Sequence, residues 1–198
     1  MSARIEACPI PLVGDQTPYD VTLNRAEVID MMVRDLAARG CRRLGLLSWH
    51  SEELFRRSVA GHGLRTEEAW IRSDLNPSQR GSGWDDLREI WTAAGEKPDG
   101  LVILDDMLFL DAQEAIRELG IQVPQDLQLA VTTTRNGHRW PSRLPATEIE
   151  IDPVAVAGQL VELLCQRLNS QPVTPAQRQV SFQTIPAPPT APVTHRAM

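Results

Sequence analysis

Apolar residues recur at helical spacing in several segments of this chain, and three of those segments end at a glycine that is followed by a short apolar run. Between Asn24 and Arg39 the apolar positions fall on one helical face, with Gly40 placed to end the helix. The same pattern predicts helices over 83–94 and 108–119. The apolar runs that follow predict three buried strands: Arg43–Trp49, Leu101–Leu104 and Leu127–Val131.

These strands carry almost no polar alternation, which is typical of a sheet that is covered by helices on both faces. Strands that alternate with helices pair in parallel through right-handed crossovers. Further along, Thr147–Ile151 alternates as a half-exposed strand would, and Asp152 with Pro153 is a favourable start for a helix reaching Leu168. A last strand is expected over 179–183. The predicted fold class is therefore α/β: a doubly wound, mostly parallel sheet in three layers.

Composition restricts the function without identifying it. The chain has 198 residues, and 20 basic against 26 acidic side chains give a net charge of −6, which argues against binding nucleic acid through the overall field. No apolar run approaches the roughly 18 residues of a membrane span, and residues 1–11 lack a signal layout. We expect a cytoplasmic protein without a membrane partner. The three separated cysteines and the missing phosphate-binding loops predict no metal site and no cofactor.

Polar and aromatic side chains follow each of the three buried strands. In an open parallel sheet, ligands bind beyond the carboxyl ends of the strands. Trp49 to Ser51 follow the first strand, Asp105 and Asp106 follow the second, and Thr132 to Asn136 follow the third. The predicted ligand-binding residues are Asp106, Trp49, Ser51, Thr133, Thr134 and Asn136.

Each of these features also has a purely structural interpretation. Either Asp105 or Asp106 could cap the helix that begins near Met107, and Trp49 could line the core instead of a pocket. The adjacent acids could also hold a divalent ion in an enzyme, although no lysine follows a later strand as phosphoryl chemistry of this type requires. His50 beside Ser51 lacks the GxSxG turn of a hydrolase. We expect no enzyme.

The order of several motifs resembles the carboxyl-terminal part of the effector-sensing domain of LacI-family transcriptional regulators, which is similar to the periplasmic sugar-binding fold. The resemblance runs from about residue 10 to about residue 183. Its most specific pieces are ARGCRRLGLL, KPDGLVILDD and LGIQVPQDLQL. It implies a remnant of an N-terminal subdomain over 1–20, an effector-binding domain over 21–184, and a Pro-rich disordered tail over 185–198.

The resemblance also implies what binds the effector. The family's aspartate after the second strand matches Asp106. The family's arginine after the first strand falls near Ser51, so that contact is absent or comes from Arg56 or Arg57. Where the family has Gly-Tyr/Phe-Asp-Asp, this chain has Val131 to Thr134, so the ligand is a sugar or another small metabolite held with fewer charged contacts.

A LacI-like sensor is further expected to form a homodimer and to reach DNA only through a helix-turn-helix module. Because there is no room for that module before IPLVGDQ, we expect this chain to be either a fragment of a longer regulator or a shortened homologue. The leading hypothesis is therefore a ligand-sensing domain of a transcriptional regulator. Two alternatives stay open: a stand-alone small-molecule binding protein without a DNA role, and a divalent-ion-dependent α/β enzyme that uses the two adjacent aspartates.

Overall fold

Strands and helices alternate along the chain as the hydrophobic pattern predicts. The computed structural model describes residues 12–14, 17–73, 81–137 and 144–188. In those residues the helices are α1 (Arg25–Ala38), α2 (Glu52–Gly61), α3 (Ser82–Thr92), α4 (Asp106–Glu118) and α5 (Pro153–Leu168), with a 3-10 turn at Glu68–Trp70. The strands are β1 (Asp20–Thr22), β2 (Leu44–Leu47), β3 (Ile71–Arg72), β4 (Gly100–Ile103), β5 (Gln128–Thr134), β6 (Thr147–Ile151), β7 (Gln177–Gln179) and β8 (Phe182–Ile185).

One sheet has the strand order β3-β2-β4-β5-β6-β8. Strand β2 pairs in parallel with β3 and with β4, and β4 pairs in parallel with β5. The register places Leu47 opposite Ile103 and Ile103 opposite Val131. The predicted α/β fold with a mostly parallel sheet is confirmed.

The central strands β2 and β4 are buried on both faces, which explains why they are apolar throughout. Helices α3 and α4 pack on one face, and α1 and α2 pack on β4, β5 and β2. The first face contributes every second strand residue to one core cluster: Leu47, Leu101, Ile103, Leu129 and Val131. The residues between them are equally buried: Leu46, Val102 and Ala130. Such burial on both faces is the three-layer arrangement that uninterrupted apolar strands predict.

Gly83 allows α3 to approach α4 closely. A Cβ atom at this position would lie 2.4 Å from the backbone oxygen of Leu108 and 3.1 Å from the Cβ of Asp111. Any larger side chain would force the two helices apart, because backbone atoms cannot move aside as a flexible side chain can. This contact lies in the first turn of α4 and fixes the position of the residues that open that helix.

Several strands differ from the sequence-based prediction. Strand β2 ends at Leu47, whereas the predicted strand continued to Trp49, and β1 and β3 were not predicted. Strand β5 continues through Thr134, whereas the apolar run ends at Val131; the three threonines are β-branched and suit an extended backbone. The single strand predicted over 179–183 is replaced by β7 and β8.

The contacts divide the chain into two units. The first comprises Met1–Asn24 with Glu150–Gln183, and the second comprises Arg25–Ile149 with Thr184–Met198. In the first unit β1 pairs in parallel with β7, and Val21, Leu163 and Val180 form its small core. Asp152 caps α5 by accepting hydrogen bonds from the amides of Val154 at 2.9 Å and Ala155 at 3.3 Å. The proposed boundaries near residues 20 and 184 stay predictions, and most of the predicted tail lies outside the described residues.

Candidate functional site

The carboxyl ends of β2, β4 and β5 lie side by side at one edge of the sheet. Leu47, Ile103 and Val131 form an aligned row across the three parallel strands. The backbone amide of Leu104 donates to the oxygen of Leu47 at 3.0 Å, which continues this alignment past the last paired residues. All of the predicted ligand-binding residues follow this row by two to five positions, so the structure places them at the edge where ligands of parallel sheets bind.

The two adjacent aspartates have different roles. Asp105 is the N-cap of α4, and its Oδ1 accepts hydrogen bonds from the amides of Met107 at 2.8 Å and Leu108 at 3.0 Å. Asp106 is the first residue of the helix and is half-buried. Within the described residues the Asp106 carboxylate makes no hydrogen bond or ion pair, so it remains available to a ligand. The sequence left the choice of cap open, and the structure assigns it to Asp105.

The segment after β2 turns sharply into α2. Trp49 is partly buried and packs against the core cluster beneath α3 and α4. His50 has a φ of 63°, and its amide donates to the oxygen of Ser73 at 2.9 Å. Ser51 is the N-cap residue of α2 by position and is 4% exposed, yet its hydroxyl makes no capping bond. Trp49 therefore packs mainly against the core, and a ligand could contact only the part of its ring that stays exposed.

Strand β5 extends further than the sequence predicted, which changes the setting of its threonines. Thr133 is a buried strand residue, and its hydroxyl donates to Oε2 of Glu148 on β6 at 3.3 Å. Thr134 ends the strand and is exposed, and Asn136 is exposed in the following turn with a φ of 58°. Of these three residues, Thr134 and Asn136 are the accessible ones at the sheet edge.

Ser48 was not predicted as a site residue, although it directly follows the aligned row. Its side chain is fully buried, and its Oγ has no hydrogen-bond partner within the described part of the chain. A buried hydroxyl without a partner is costly, so Ser48 is an additional candidate for a polar contact. The sequence signal was a single serine inside the apolar run RLGLLSW, which is indistinguishable from a tolerated core serine.

A cavity of about 410 Å³ opens at the carboxyl end of β3, one strand away from β2. Its lining includes Glu52 and Arg56 of α2 together with Arg72 and Ser73. Arg57, the other arginine that the sequence offered as a ligand contact, points elsewhere: it is 75% exposed and pairs with Glu53 at 3.7 Å. Of the two arginines, Arg56 is the one beside a cavity.

His62 follows the last residue of α2 and contacts a carboxylate of α1. Its Nε2 lies 2.9 Å from Oδ1 of Asp30 on α1, and the Ser58 hydroxyl donates to the same oxygen at 3.0 Å. The histidine and the serine both contact the carboxylate and not each other, which differs from the relay of a serine hydrolase. The cluster joins α1 to α2.

Among the residues that the structure describes, no three His, Cys, Asp or Glu side chains are grouped so that they could hold a metal ion. None of the helices there combines the length and the apolar character needed to cross a bilayer.

A parallel α/β sheet with polar groups gathered at its carboxyl edge defines a class of ligand-binding domains. Residues 33–186 match the periplasmic binding protein-like domain family. The chain belongs to this family. No curated protein sequence matches the chain.

Several solved structures share the fold. A LacI-family transcriptional regulator from Mycobacterium smegmatis has a TM-score of 0.75 and 19% identity, with 96% of this chain and 73% of that chain covered. A LacI-family regulator from Clostridium acetobutylicum has a TM-score of 0.76 and 14% identity, with 92% of this chain and 72% of that chain covered. A complex of the transcriptional regulator CelR with cellobiose has a TM-score of 0.70 and 18% identity, with 85% of this chain but only 53% of that chain covered. The resemblance to LacI-family sensing domains is confirmed at the level of the fold.

Proposed function

We propose that this chain is the ligand-sensing part of a LacI-like transcriptional regulator and that it binds a small effector at the carboxyl edge of its sheet. The observation that supports the proposal most directly is that two neighbouring acids, Asp105 and Asp106, differ in their hydrogen bonds. Asp105 accepts hydrogen bonds from two amides of the first turn of α4, whereas among the described residues the carboxylate of Asp106 has no hydrogen-bond or ion-pair partner.

Asp106 would be the polar anchor of the effector. A carboxylate accepts hydrogen bonds from hydroxyl or amine groups, and bonds to a charged group contribute about 1.5–3 kcal/mol each. Thr134 and Asn136 would add neutral hydrogen bonds from the exposed end of β5, and the exposed part of Trp49 would provide an apolar surface. Ser51 and Thr133 would be secondary hydrogen-bonding groups, and their burial limits their contact with a ligand.

The regulatory step would be a population shift. An effector that binds one relative arrangement of two subdomains more tightly favours that arrangement by its differential affinity. In a homodimer, such a change would alter how DNA-reading modules are presented. The matched structures are described as transcriptional regulators, and one of them was solved with cellobiose; these descriptions support a role in sensing.

A thermal-shift screen of sugars, nucleobases and organic acids on the purified protein tests the proposal. A compound that binds only the folded state raises its stability by RT ln(1 + [L]/Kd). Asp106→Ala should weaken binding of such a compound by roughly ten- to a hundredfold, the equivalent of one charged hydrogen bond. The matched control is Glu114→Ala, which removes an exposed acid from the same helix α4 and should leave affinity unchanged.

Equal affinities of wild type and Asp106→Ala would remove this residue from the site. Binding of no compound from any of the three classes would contradict the sensing role. Binding that persists in a full-length gene product without any DNA-binding module would favour the stand-alone binding protein.

A further inference from the structure

The cavity beside β3 is lined mainly by charged side chains. Three acids and two arginines line its walls: Glu52, Glu68, Asp86, Arg56 and Arg72. It lies at the carboxyl end of β3, which pairs with β2, so it is on the same edge of the sheet as the proposed effector site. The family resemblance offers Arg56 as one of two alternatives for an effector contact, but it names no ligand for the cavity and gives Glu52 no role.

Both arginines of the cavity already have partners. Arg56 forms an ion pair with Glu68 at 2.5 Å. Arg72 donates to the backbone oxygens of Ala69 and Ile71, pairs with Glu89 at 3.3 Å, and lies 3.9 Å from Asp86. An anionic ligand would have to compete with these carboxylates for each guanidinium, which makes the cavity a poor anion site.

Glu52 is an acid of this cavity with a carboxylate oxygen that could accept a further hydrogen bond. Its carboxylate accepts hydrogen bonds from its own backbone amide and from the Ser73 hydroxyl, and these bonds, aided by His50 and Arg56, lower the pKa of Glu52 below its ordinary value. The carboxylate is therefore ionised at neutral pH. Its second oxygen, Oε2, is shielded from solvent and has no hydrogen-bond partner among the described residues. A shielded carboxylate oxygen without a donor carries a desolvation cost that a bound N–H or O–H group would relieve.

We propose that this cavity receives an amine of the effector, with Glu52 as the counter-ion. The inference rests on the proposed function, because it adds a charge preference to the ligand of the same sheet edge. A protonated amine fits the chemistry better than a neutral hydroxyl, since a cation on an ionised acceptor forms the stronger, charge-assisted bond. The walls also carry one more negative than positive charge, counting three acids against two arginines.

A matched series of three sugars tests this preference on the intact chain: glucosamine, glucose and glucuronate, with affinity measured by titration in low salt. We expect affinity to fall in that order. Glu52→Gln keeps the shape of the side chain and should lower the affinity for glucosamine by at least about tenfold, while changing that for glucose less. Glu53→Gln is the control, because Glu53 is 78% exposed and pairs only with Arg57 in the described structure.

The outcomes separate the two proposals. Tighter binding of glucuronate than of glucosamine, equal affinity for all three sugars, or a Glu52→Gln variant that binds glucosamine as wild type does would each overturn the amine site while the sensing function stands. If all three sugars fail to bind but amine-free metabolites from the broad screen do bind, the amine site is also overturned. If nothing binds in either experiment, both proposals are wrong.

Discussion

Asp105 and Asp106 are adjacent in sequence, but within the described part of the chain only the carboxylate of Asp105 accepts hydrogen bonds from the protein. Asp105 accepts two backbone amides at the start of α4, at 2.8 and 3.0 Å. The following acid opens the helix and keeps its carboxylate unengaged in the described structure. This relationship separates a stability role from a binding role within a single dipeptide, and it makes two mutations informative as a pair.

Asp105→Ala should lower the free energy of unfolding by about 1 kcal/mol, because two amides in the first turn of α4 lose their acceptor. Asp106→Ala should change it by no more than about 0.5 kcal/mol, since surface substitutions away from such features have small effects. Urea unfolding followed by circular dichroism measures both. A larger loss for Asp106→Ala than for Asp105→Ala would reverse the assignment of the cap.

Gly83→Ala should destabilise the fold by about 1–3 kcal/mol, because the added methyl group would lie 2.4 Å from the backbone oxygen of Leu108. Gly158→Ala is the matched control in α5, where an added Cβ meets no atom within 4 Å. That variant should gain up to about 1 kcal/mol from helix propensity. Chemical denaturation of the two variants checks the pair, and equal effects at both glycines would contradict the close contact of α3 with α4.

How far the sequence predicted this fold depended on how local each signal was. Helix α1 and its end near Gly40 could be predicted, because an apolar stripe and the glycine that follows it are local signals in the sequence. In the structure Gly40 has a φ of 96°, as a helix-ending glycine does. Strands β1 and β7 could not be predicted, because each has only three residues and their pairing joins positions near 20 and 177. Strand β3 has two residues and carries no periodicity at all.

The sequence could predict at which edge of the sheet the candidate site lies, but not which hydrogen bonds each of its side chains makes. Polar residues after parallel strands must gather at one edge, so the location followed from the order of elements. The different roles of Asp105 and Asp106 could be assigned only from the hydrogen bonds in the structure. The cavity at Glu52 could not be predicted from the sequence, because an acid in the first turn of a helix is common at any solvent-exposed helix start.

The Asp30–His62 contact predicts a pH-dependent contribution to stability. Hydrogen bonds from His62 and Ser58 lower the pKa of Asp30 below its ordinary value. The contribution is therefore present above the unfolded-state pKa of about 3.9 and is lost as pH falls through the lower folded value. Because Asp30 is 50% exposed, solvent screening limits the effect to no more than about 1 kcal/mol.

Urea unfolding of wild type and Asp30→Asn near pH 7 and near pH 2 measures this contribution. Near pH 7, wild type should have a higher free energy of unfolding than Asp30→Asn. Near pH 2, this difference between the two proteins should be smaller. A difference that is equal at both values would show that the carboxylate charge has no part in it.

Cys41 and Cys165 should differ strongly in reactivity. Burial, reinforced by the negative charge of Asp99, raises the pKa of Cys41 to about 12, whereas Cys165 is exposed. Since the thiolate is the nucleophile, iodoacetamide near pH 8 should label Cys165 and leave Cys41 unmodified in the folded protein. Peptide mapping by mass spectrometry distinguishes the two sites, and urea should make Cys41 reactive. Rapid labelling of Cys41 without denaturant would contradict its buried position.

Binding of an effector at the carboxyl edge of the sheet can be tested by hydrogen–deuterium exchange with the best-binding compound of the screen. We expect slower exchange in 48–53, 104–108 and 132–137, and no change at the opposite edge around 97–100 and 126–128. Protection confined to that opposite edge, with the segments after β2, β4 and β5 unaffected, would show that the effector binds elsewhere.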